Sequence, residues 1–166
     1  MGEFDILPVL RGSPQMTRIN IDLDGMAQLL GQLKALGGKA DDIVIQTIND
    51  LAAETHEYAV AGISHSGGGG RTYEKYKPRR THTASAPGAY PASDTGQLAT
   101  NVRMAGLQRA TLASMMATVG TSVLHGAWLE FGTSRMAARP WLLPSFERAK
   151  VGIEKELKAR IDGMMK

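Results

Sequence analysis

The chain has 166 residues, no cysteine, two Trp, four Tyr and three Phe, and a formal net charge of +3. The missing cysteines exclude a disulfide framework, a thiolate metal site and a cysteine nucleophile, and so mild a positive excess does not argue by itself for a nucleic-acid partner. The length suits one domain whose core is built from Leu, Ile, Val, Met and Ala, a composition that disfavours a deep aromatic ligand pocket.

No run approaches the roughly 20 apolar residues of a membrane span, and the N-terminus lacks the basic-then-apolar order of a secretory signal. Residues 1–15 share no periodicity with the remainder of the chain. They read as an N-terminal extension or sequence added for expression, or else as an arm that docks on a neighbouring subunit. Residues 16–166 read as a single domain.

Ile19, Ile21 and Leu23 alternate with polar neighbours, which predicts a short strand. Asp24 is a suitable N-cap for a helix carrying Met26, Leu29, Leu30, Leu33 and Leu36, and Gly37-Gly38 stops it. A longer helix is predicted over about 40–61. Its stripe is Val44, Ile48, Leu51, Ala52, Thr55, Tyr58 and Ala59, and Asp41 and Asp42 in its first turn suit the helix dipole.

Between residues 64 and 93 the periodicity collapses into the glycine run Gly67–Gly70, a basic segment, and Pro78, Pro87 and Pro91. This predicts a long flexible loop. So few apolar side chains cannot offset the entropy of ordering, so it is expected to order only against a partner. Asp94 is a candidate cap for a short helix over 96–101. The β-branched content from Val102 to Val123, broken at Gly106 and Gly120, predicts a hairpin or a three-stranded meander. A short helix or turn around 125–131 ends at Gly132. A final helix over about 145–164 presents Phe146, Ala149 or Lys150, Ile153, Leu157 and Ile161, with Glu154 and Lys158 as a supporting pair. The predicted class is α+β: N-terminal helices and a long C-terminal helix on a small antiparallel sheet, with a long extended loop.

Catalytic chemistry finds little footing. The run Ser66–Thr72 invites comparison with a phosphate-cradling loop, but His65 stands at the first glycine position, Arg71 replaces the lysine, and a helix precedes the run where the motif needs one after it. The four histidines, His56, His65, His82 and His125, have no ligand spacing among them. No nucleophile elbow is present. No catalytic residue, metal or cofactor is assigned, and the chain is read as a non-enzyme.

The basic segment interleaves Arg71, Lys75, Lys77, Arg79 and Arg80 with Tyr73 and Tyr76, opposed only by Glu74. Cations that track phosphates and rings on which bases stack make it a candidate DNA contact. The plainer reading is a solvated loop, or one that meets an acidic face of a neighbour.

Two runs carry a resemblance. The first is 82–98, HTASAPGAYPASDTGQL, and the second is 128–144, WLEFGTSRMAARPWLLP. Together they resemble the tail-component family of long-tailed bacteriophages, known as tail-completion, neck or head–tail joining proteins. In that family an Ala-Pro-Gly…Pro-Ala…Asp-Thr-Gly-Leu box precedes the sheet, and a Glu-Phe-Gly-Thr…Arg-Pro-Phe-Leu-Pro box precedes the last helix. Trp141 stands where phenylalanine is common, Ala89 where an acidic residue is common, and residues 1–15 fall outside the match.

The resemblance implies a structural virion subunit that forms a ring with copies of itself, expected to be a hexamer. That ring joins the head connector to the tail tube beside neck, tail-terminator and tail-tube proteins. It implies assembly in the host cytoplasm, residence in the virion and passing contact with genomic DNA in the channel, with no membrane partner. The alternative is a small DNA-binding module using 71–80. Within the second box, Glu130 and Arg135 are placed to pair across the Gly132 turn, and Arg139-Pro140-Trp141 to set the angle of the last helix. Arg135, Arg139, Trp141 and Glu130 are the candidate subunit-interface residues, Arg and Trp being enriched at such hot spots.

Overall fold

A computed structural model describes residues 17–21, 39–76, 79–111 and 114–164. The predicted helix over 26–36 lies outside these residues. The fold is α+β. In chain order the elements are β1 (Thr17–Ile21), α1 (Lys39–His65), β2 (Thr72–Tyr76), β3 (Arg79–Thr83), α2 (Gln97–Thr100), β4 (Val102–Thr111), β5 (Ser114–Thr121), α3 (Leu124–Phe131) and α4 (Leu143–Met164).

The main sheet is antiparallel in the order β1-β5-β4. Val119 of the central strand pairs with Ile19 on one side and Met104 on the other. Val102, Ala117, Val119 and Thr121 are buried. The β4–β5 ladder slips twice, between Ala105 and Gln108 and between Arg109 and Thr111, irregularities that also blunt an edge strand.

Helix α1 packs against both the sheet and α4. Its inward stripe is the predicted one, lengthened by a turn: Val44, Ile48, Leu51, Ala52, Thr55, Ala59 and Ile63 are all buried. Thr55 is tolerated there because its hydroxyl donates back to Leu51 O at 2.7 Å, which satisfies the one polar atom it brings inside. From α4, Phe146, Ala149, Ile153 and Leu157 complete the core. The Arg148 guanidinium lies over the Tyr58 ring at 4.4 Å and seals the α1–α4 seam from outside. Among the described residues, the helix-surface ion pair one turn apart is Glu156–Arg160 at 2.6 Å, in place of the expected Glu154–Lys158.

The stretch 64–93 is irregular over 66–71 and 84–93 but carries two strands between them. Strands β2 and β3 pair as an antiparallel hairpin in which Tyr73 faces His82, Lys75 faces Arg80 and Tyr76 faces Arg79. Its base is zipped by Ala84 N donating to Arg71 O at 3.0 Å and by Gly70 N donating to Ala84 O at 2.7 Å. Glycine is required at 70 because a Cβ there would stand 2.6 Å from Ser85 O. The glycines thus serve strand approach as much as flexibility. The hairpin is invisible to periodicity because both its faces are polar: seven of its ten strand residues are exposed.

Candidate functional site

The two runs that carry the resemblance meet in space, and within the second of them Glu130 ties α3 to the start of α4. Helix α4 begins at Leu143, and Phe146 N donates to Leu142 O at 3.0 Å as the first helical bond. Leu142 therefore holds the capping position but has no side-chain acceptor for the unpaired N–H groups of the first turn. Glu130, on α3, supplies it from a distance. Its Oε2 accepts from Trp141 N at 2.7 Å and Leu142 N at 2.9 Å, and its Oε1 accepts from Leu143 N at 3.0 Å. A carboxylate at a helix N-terminus is also favoured by the helix dipole.

This overturns the expected Glu130–Arg135 ion pair: the carboxylate is buried and already accepts three backbone hydrogen bonds, whereas Arg135 is exposed. Trp141 is likewise spent inside the subunit. Its side chain is fully buried and its Nε1–H donates to Gly126 O at 3.0 Å. Neither side chain is free to serve a subunit interface, and both act by fixing α3 against the start of α4.

Gly132 ends α3 with φ 74°, and a Cβ there would lie 2.9 Å from Ala138 N. The chain then closes a tight turn with Thr133 N donating to Met136 O at 2.8 Å. Arg139 N donates to Leu129 O at 2.7 Å, which folds the run back along α3.

The first run docks on this scaffold. Arg139 Nε donates to Ser85 O at 2.9 Å, Gly88 N donates to Ala138 O at 2.9 Å, and the Tyr90 hydroxyl meets Ser145 Oγ at 3.0 Å. Arg139 therefore bridges the two runs within one subunit. Of the four candidate interface side chains, Arg135 is the exposed one.

Asp94 does not cap α2. The residue before that helix is Gly96, with no side-chain cap bond. Asp94 instead turns to the hairpin: Lys75 Nζ donates to Oδ2, Arg80 Nη2 lies 3.2 Å from Oδ1, and His82 Nδ1 lies 3.8 Å from Oδ1. The hydrogen bond from Lys75 holds the Asp94 carboxyl below its usual range. Desolvation opposes this, and the charges of Lys75, Arg80 and His82 reinforce it. Its contacts to Lys75 of β2 and to Arg80 and His82 of β3 make Asp94 a clamp on both strands of the hairpin.

Two of the five cations in the basic segment are thus consumed internally. Arg71 and Arg79 remain exposed, with Tyr73 at 46% and Tyr76 at 72%. Arg71 lies 5.5 Å from the Tyr73 ring centroid. Lys77 lies outside the described residues.

Beside the clamp is a cleft of about 420 Å³, walled by Ile63, Pro91, Leu98, Trp128, Leu129 and Met136, with Asp94, His82 and His125 also in its lining. Helix α3 forms one side and leaves Leu124, Trp128 and Phe131 about half exposed. Sequence reasoning missed these three, although their spacing places them close together along the helix. Among the described residues, no three of His, Cys, Asp and Glu converge as a metal set, and no helix is long and apolar enough to cross a membrane.

The chain matches no protein-family model, no curated protein and no solved structure.

Proposed function

We propose that this chain is a structural subunit of a tailed-phage neck or tail, one copy in a ring that helps join the head connector to the tail tube. The observation that carries the reading is the interlock of the two motif runs. Residues 85–90 are held by Arg139, Ala138 and Ser145, while Glu130 and Trp141 hold α3 to α4. Residues that resemble one family's signature in two separate places come together as one structural unit. That is the expected behaviour of a signature maintained for a shared fold.

The mechanism is assembly. Complementary faces of adjacent copies bury area, and the exposed Leu124, Trp128 and Phe131 of α3 offer one such face. No bond is made or broken in this role.

The alternative is a DNA-binding module built on 71–80. It draws support from the exposed Arg71, Arg79, Tyr73 and Tyr76. It is weakened by the commitment of Lys75 and Arg80 to Asp94, which leaves fewer cations to displace counterions from a phosphate backbone.

Deleting the coding sequence from the phage genome tests the first reading. Separate filled heads and finished tails are the expected product, restored to whole particles by the protein supplied in trans. Normal virions without it would refute the reading.

A further inference from the structure

We infer that the β2–β3 hairpin of one copy docks on the acidic α1–α4 face of the next, so that copies join head to tail. This deepens the ring reading and rests on it. The first ground is the hairpin's incompleteness. Its two strands pair with no other strand among the described residues, and most of its side chains are exposed. A lone two-stranded ribbon is marginal in water. Here its anchorage is largely polar, through Asp94 and the bonds around Ala84, and it leaves Tyr73 and Tyr76 in solvent.

The second ground is charge. Opposite the buried stripe of α1, a shallow depression of about 310 Å³ is walled by Asp50, Ala53, Glu54, Glu57, Glu156 and Arg160. Four carboxylates against one guanidinium leave a net charge of −3. Arg160 is divided between Asp50 at 3.0 Å and Glu156 at 2.6 Å. Glu54 and Glu57 have no ion-pair partner among the described residues. On the hairpin, Arg71 and Arg79 are exposed and likewise form no ion pair there. The two surfaces complement each other: Tyr76 and Arg79 are cross-strand neighbours on the face of the ribbon turned away from Asp94, and there Arg79 meets Glu57 and Glu54 while Tyr76 supplies an apolar body over Ala53.

The third ground is position. Residues 50–57 lie about 12 to 22 Å along α1 from the end that leads into the hairpin, at 1.5 Å per residue. The two patches are therefore well separated, and their union between copies is heterologous. A contact of that kind closes into a ring when its rotation allows.

The test is sedimentation velocity of the full chain over a range of concentration and salt, comparing the native protein with Arg79→Glu, Glu57→Lys and the double variant. Both positions are exposed and lie outside the Asp94 clamp and the Glu130 junction, so circular dichroism should show native folding in each. Association of the native chain that weakens with salt, at least tenfold weaker association in each single variant, and recovery in the double variant are expected. Oligomers that persist unchanged in both single variants would overturn the hairpin contact while leaving the ring reading in place. A native chain monomeric at every concentration would overturn both. A short duplex DNA probe is run in parallel. If Arg79→Glu abolishes DNA binding and leaves self-association untouched, the hairpin is a nucleic-acid arm and the contact between copies is wrong.

Discussion

The Glu130 carboxylate accepts the Trp141 backbone N–H at 2.7 Å across eleven residues of chain, and this bond places a helix start where the local sequence offers no cap. Two further N–H groups depend on the same side chain. Glu130→Ala leaves buried donors unpaired, each costing about 1–3 kcal/mol. The Trp141 and Leu142 donors are buried and the Leu143 donor only partly so, and we expect a total loss of roughly 2–6 kcal/mol by the same reasoning, read as a lower urea midpoint with an unchanged slope. Glu130→Gln retains one acceptor oxygen and should lie between alanine and native. Equal stability of all three proteins would show that the first turn of α4 does not need the carboxylate.

Asp94 gives a pH prediction. Its carboxyl is held below the ordinary 3.8, chiefly by the hydrogen bond from Lys75. A folded value lower than the unfolded one means that the unfolded chain takes up the proton first. The clamp therefore contributes its full stability above the ordinary value and loses it as pH falls through the folded value. In Asp94→Asn that acid-limb dependence should be shallower, with the melting temperature falling less between about pH 4 and pH 2 than in the native chain. An unchanged acid limb would mean that Asp94 is not held by the hairpin.

Arg139→Ala removes the donor to Ser85 O and should cost about 1–3 kcal/mol. It should also speed proteolysis within residues 84–90 more than elsewhere, since that segment loses one of its ties to the rest of the subunit. Limited digestion followed by mass spectrometry locates the cuts. Cleavage spread evenly along the chain would argue against a local role.

Arg135 separates stability from assembly. Its side chain is exposed, so Arg135→Ala should stay within about 0.5 kcal/mol of native stability. If the tight turn after α3 faces a neighbouring copy, the same variant should reduce oligomer formation severalfold. A stable variant that assembles normally would remove Arg135 from the interface.

The apolar framework is legible in the sequence because each part of it obeys a period. Val44, Ile48 and Leu51 on α1, and Phe146, Ile153 and Leu157 on α4, recur at helical spacing and are buried. Val102 and Val119 lie in β-branched stretches and belong to paired strands of the sheet. The hairpin escapes such a reading because Tyr73, Lys75, Arg80 and His82 alternate among polar types, with no apolar face for periodicity to register. Asp94 looks like a local cap, since capping is a local rule, while its partners lie up to nineteen residues away. Glu130 has Arg135 as a nearby cation in sequence, yet three orphan N–H groups at the start of α4 compete for the carboxylate better than an exposed arginine does. An acid ahead of a proline-bracketed tryptophan at a helix start was the available signal.

Quantitative mass spectrometry of purified virions tests the structural-subunit reading most directly, with separated heads and tails as controls. We expect the chain in whole particles at a small fixed copy number, one ring's worth, that does not vary between preparations. Its absence from particles that nevertheless infect normally would contradict a structural role in the neck or tail.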